Sequence, residues 1–171
     1  MSSNKPRLYI ALYPSGVTGN EERQYHWAFL IGPKHEKEKK VEGMRCHVKN
    51  RLAIWEYEEL QIPNVRSTVS LLARLVIAKI TDQQRLLGIL RSIPLVQGDP
   101  EFRCRTWIAR ALEAIKVDGK CVGTAVLDWS HIEATAREYV AQKRQGGRYD
   151  SGGMALPKPT FDMLEGRETV S

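Results

Sequence analysis

Cys104, flanked by Arg103 and Arg105 and followed three residues later by Trp107, has the setting that best suits nucleophilic chemistry. A thiol attacks as its thiolate, so it needs a base to take its proton, a third group to orient that base, and preferably a helix start whose dipole favours the anion. The stretch from Asp99-Pro100 or Arg103 to about Lys116 predicts a helix, with Asp as cap and Pro at the first position, that carries Cys104 early. His26 begins the apolar run QYHWAFLIGP, which reads as a central strand, so its imidazole would leave the sheet toward whatever helix covers that face. His47, on the next strand candidate, could fix the tautomer of that base, and Asn50 is a second candidate for the same role. The competing reading is structural, because Cys104, Ile108, Ala111, Leu112 and Ile115 also form the apolar stripe of a helix, where a cysteine serves as a small core residue.

Chemistry of other kinds finds less support. Cys46, Cys104 and Cys121 show no CxxC pair, His35 and His131 have no partner at ligand spacing, and neither a metal nor a cofactor is implied. Cys46 alternates with Met44 and Val48 and reads as packing. Trp27, Trp55, Trp107 and Trp129 are spread one to a segment, which suits core packing better than a base-stacking platform. The basic segment QKRQGGRY could follow a phosphate backbone, although a helix C-terminus attracts Lys and Arg in any case.

These residues must be positioned by strands first and helices later. RLYIALY at 7–13 alternates as a strand, followed by turn formers; QYHWAFLIGP has apolar residues on both faces, as a strand covered on both sides does. KHEKEKK reads as a solvated charged loop. GMRCHVK and AIWEYEE, linked through Asn50-Arg51, suggest an antiparallel meander, and LLARLVIAKI a further strand. Thr81 and Gln84 form a capping box for a helix over about 82–92 stopped by Pro94, and Ser130 and Glu133 another for a helix ending at Gly146-Gly147. The sum is an α+β fold, an antiparallel sheet of about five strands against two or three helices, in residues 1–150. Residues 151–171 read as an irregular tail, with Phe161, Met163 and Leu164 able to tuck onto the body.

At 171 residues, with 42% hydrophobic and 27% charged residues, the chain is long and apolar enough for one self-sufficient domain. No stretch suits a membrane span and the N-terminus lacks a signal-peptide core, so a cytoplasmic protein without disulfides is expected. The net charge of +6 favours an acidic or phosphate-bearing partner, tRNA included.

The segments YHWAFLIGPK, RCHVKN, WEYEE and FRCRTWIARAL, in that order, resemble a group of small fungal proteins of unassigned function through the H-W, G-P-K, H-V-K-N and C-x-x-W signatures over about 7–145. The His-first, Cys-later order also resembles the circularly permuted papain-like fold of the PPPDE isopeptidases and their NlpC/P60 and LRAT-like relatives. That resemblance implies a thiol hydrolase or transferase with Cys104 as nucleophile, His26 as base and His47 in the neighbouring polar position. The substrate would then be met by Arg103, Arg105, Asn50 and Trp107. Two alternatives stand beside it: a fungal arginine-containing cyclodipeptide synthase fed by charged tRNA, supported by size and basicity alone, and a non-catalytic binding module on the same fold.

Overall fold

Alternation along the first strand decides which face of the sheet is which. In β1 (Arg7–Pro14), Leu8, Ile10 and Leu12 point to one side and Tyr9, Ala11 and Tyr13 to the other, and all six are buried. A strand buried on both faces belongs in the middle of a sheet covered twice. The computed structural model, which describes residues 4–150 and 156–171, places β1 there.

Four strands form an antiparallel meander, whose β3–β4 pair was anticipated from the spacing: β1, β2 (Tyr25–Gly32), β3 (Gly43–Arg51) and β4 (Ile54–Ile62). β5 (Ala73–Ile80) pairs on the other side of β1, also antiparallel. Here the sheet outgrows the expectation of about five antiparallel strands, for among the described residues it has eight and is mixed. The outer edge of β5 is shared. β6 (Val122–Ala125) lies antiparallel against Ala78 and Ile80, and β7 (Thr160–Asp162) lies parallel to Arg74–Val76, with β8 (Arg167–Val170) beyond it. These three strands are three or four residues long, too short for alternation to register. The stretch expected to be an irregular tail therefore closes the sheet, with residues 151–155 outside the described part.

Three helices cover one face: α1 (Gln83–Ser92), α2 (Cys104–Asp118) and α3 (Trp129–Gln145). Their apolar stripes meet Leu8, Ile10, Leu12, Trp27, Phe29, Cys46, Val48, Leu75 and Ile77 in the larger core. Cys46 is the packing residue its alternation suggested. Two caps differ from the sequence reading: Asp82, not Thr81, caps α1 by accepting from Arg85 N–H, and Asp128, not Ser130, caps α3 by accepting from Ser130 N–H. In each case an aspartate beside the hydroxyl residue wins, since a carboxylate also complements the helix dipole.

Loops cover the opposite face. Val41, Val65 and Leu71 close over Tyr9, Ala11, Ala28, Leu30 and Val76. The charged segment KHEKEKK is not simply solvated: Glu36 enters beneath this layer and takes a bidentate ion pair from Arg74 at 2.8 and 2.7 Å. Arg74 is fully buried, stacks on Tyr9 at 4.5 Å, and donates to Thr160 Oγ1 from Nε and Nη2. A buried guanidinium is tolerated because each of its edges is used.

The β3–β4 connection is a two-residue turn at Leu52-Ala53, both at positive φ (50° and 66°), with Arg51 opposite Ile54. Such a turn matches the strand twist but favours Asn-Gly, since a side chain with Cβ is strained there. Leu52 is also 92% exposed, so nothing in its packing offsets the strain. Leu52→Asn combined with Ala53→Gly is expected to stabilise the protein by about 1–2 kcal/mol, seen as a higher urea midpoint with unchanged slope; a lower midpoint would show that the tip is held by something other than turn chemistry.

Candidate active site

Hydrogen bonding between β2 and β3 does not run the length of the strands. It pairs Ile31 with Met44, Leu30 with Arg45 and Phe29 with Cys46, and goes no further, although β2 begins at Tyr25 and β3 continues to Arg51. Where the ladder stops, a cleft of about 770 Å³ opens. His26, His47, Arg45 and Tyr13 reach it from the loop-covered face, and Cys104, Arg103 and Trp55 from the helix side.

The cleft holds a chain of hydrogen-bonded groups. His26 Nε2 lies 2.8 Å from His47 Nδ1, and His47 Nε2 lies 2.9 Å from Glu58 Oε1. Lys49 Nζ holds the other oxygen of Glu58. The hydrogen bonds from His47 and Lys49 keep the Glu58 carboxyl down at about 2, so it is an acceptor only. His47 must then carry its proton on Nε2, leaving Nδ1 to accept from His26 Nε2–H. His26 Nδ1 is left with a lone pair, and the chain ends in a base. Burial, the neighbouring His47 and Arg45 together lower His26 to about 4, so it is neutral at pH 7. Burial likewise lowers His47, against the pull of Glu58.

Cys104 is the first residue of α2 and is 9% exposed. Burial raises its thiol above the ordinary range, while hydrogen bonds from the backbone of Trp27, Arg105 and Cys104 itself favour the thiolate. No direct hydrogen bond links thiol and imidazole among the described residues, and the resting pair is neutral.

The sequence expectations divide accordingly. Cys104, His26 and His47 share the cleft, with His47 rather than Asn50 holding His26. His26 does not face a covering helix, as expected from its strand: it shares the face of Ala28 and Leu30, and lines the same cleft as Cys104 because the sheet is open at that point. Arg103 and the exposed Asn50 line the cleft. Arg105 also lines it, but is occupied by Glu22 and by Glu133 at 3.2 Å, and so ties the β1–β2 loop to α2 and α3. Trp107 is excluded altogether, being 0% exposed between Phe29 and Tyr57. Glu58, Lys49 and Arg45 went unread in the sequence; the signal for Glu58 was the register from a correctly placed turn.

The two histidines give the fold a pH dependence of definite sign. A histidine whose folded value lies at about 4 rather than 6.5 is bound neutral, so the stability it confers is complete above pH 6.5 and is lost as pH falls toward 4. His26→Gln is expected to flatten urea-midpoint stability across that interval; an unchanged slope would show that His26 is freely solvated.

No curated protein and no solved structure matches the chain. A family model does match over residues 5–170, nearly its whole length. The protein with this divided sheet and histidine chain belongs to DUF6914, a family of unknown function.

Proposed function

We propose that the cleft carries out acyl transfer through Cys104, with His26 as the base and His47 and Glu58 fixing its tautomer. The observation that carries this reading is the unbroken line from Glu58 through His47 to His26, ending in a lone pair in the cleft onto which the Cys104 thiol opens. A His strand preceding a Cys helix, the order of the permuted papain-like fold, supports it further.

Each step follows from the proton positions. As Sγ attacks an acyl carbonyl carbon, its proton passes to His26 Nδ1, directly or through one water, and the carbonyl electrons move to the oxygen. Backbone N–H groups in the first turn of α2, which have no carbonyl four residues before them, stabilise that oxyanion. The imidazolium shares its charge along the chain to the Glu58 carboxylate, and its proton then leaves with the departing group. Water or an amine, deprotonated by the same His26, releases the acyl group and restores the thiol. Neutral thiol and neutral imidazole at rest mean that the proton moves only during attack, so Cys104 in the free protein is a slow target for small alkylating agents.

An activated ester is the direct test. Incubation with p-nitrophenyl acetate is expected to add one acetyl group, located at Cys104 by peptide mass spectrometry, with Cys46 and Cys121 as buried internal controls. Cys104→Ala should abolish it, and His26→Gln should slow it by about 100-fold or more. Acetylation scattered over lysines, with Cys104 unmodified, would refute the mechanism.

A further inference from the structure

Two arginines on the loop-covered face of the sheet are treated in opposite ways. Arg74 on β5 is saturated by Glu36, Thr160 and Tyr9. Arg45 on β3 stacks on the Tyr13 ring at 5.6 Å, its Nε is buried without a hydrogen-bond partner, and no carboxylate among the described residues pairs with it. It lines the cleft beside the His26–His47 pair. Lys49 and Arg105, which also line it, are each neutralised by a glutamate. Leaving a partly buried guanidinium without an anionic partner costs free energy, which its cation–π contact with Tyr13 offsets only in part.

We propose that Arg45 is a binding site for an oxyanion, and, resting on the acyl-transfer reading, that the substrate carries a free carboxylate or a phosphate close to its reacting carbonyl. The planar fork of an arginine suits either group in a bidentate fashion. The site also acts on the base. Around His26 lie Tyr13 from β1, Arg45 and His47 from β3, and through His47 the Glu58 carboxylate of β4 with Lys49 on it, while Cys104 of α2 lines the same cleft. Of these, Arg45 is a fixed positive charge that opposes protonation of His26. An anion seated on Arg45 cancels that opposition, so the substrate itself makes His26 a stronger base, and a neutral analogue leaves it weak.

The full-length protein is titrated at constant ionic strength with inorganic phosphate and separately with sodium acetate, while the imidazole signals of His26 and His47 are followed by NMR against pH. The expected result is a saturable response to at least one anion, with the His26 titration moved upward, the responding anion identifying the group. Arg45→Met should weaken binding about tenfold or more, while Arg167→Met, on β8 away from the cleft, changes it less than about twofold. Arg45→Lys, which keeps the charge but loses the fork, should fall between the two and serves if Arg45→Met does not fold. No saturable response to either anion, or an equal one in the Arg45 variants, overturns the proposal. The same titration on Cys104→Ala separates the two readings: binding retained there stands even if acetylation at Cys104 fails, and acetylation without anion binding removes the Arg45 site alone.

Discussion

The interrupted ladder between β2 and β3 is the feature on which the rest of the site depends. An antiparallel pair that stayed hydrogen-bonded beyond Phe29 and Cys46 would seal the sheet and keep the two faces apart. His26 and His47 would then lie under the loop layer and Cys104 under the helices, with a backbone wall between them. Opening the strands leaves main-chain groups without ladder partners, a cost that a fold meets only by finding other uses for them.

Charge burial follows the same logic on both sides of the opening. Glu58 anchors two histidines and Lys49, which lets an imidazole pair sit half-buried with every inner nitrogen used. Arg105 and Arg137 meet at Glu133 and extend to Glu22 and the carbonyls of Glu21 and Glu22, fastening the loop that borders the cleft. Arg74 and Glu36 draw the loop after β2 down onto the opposite face. Arg45, partly buried with no carboxylate partner among the described residues, departs from this pattern.

Much of the fold was legible in the sequence because period-2 and period-3.6 patterns survive wherever one face is buried. β1 to β5 and all three helices were found with ends close to the observed ones, and Cys104, His26 and His47 were chosen from residue type and element order. What was missed was missed for local reasons. Leu52-Ala53 carries none of the usual turn chemistry, whereas Asn50 does, so the turn was placed two residues early. Turning at 52–53 puts His47 opposite Glu58, and the earlier turn hides that pairing.

The sequence by itself determined the five longer strands, the three helices and the residue types available for acid–base and thiol chemistry, since these depend on local pattern and intrinsic reactivity. Tertiary structure alone decided which of them meet. The three short strands pair with β5 and its neighbours through contacts distant in sequence, Trp107 lies in the core rather than at the substrate position the resemblance implied because α2 packs it against Phe29 and Tyr57, and Glu36 leaves solvent because Arg74 is buried on another strand. A side chain's partner across a sheet depends on register and on where pairing stops, and both are settled by the balance of burial over the whole domain rather than by any one segment.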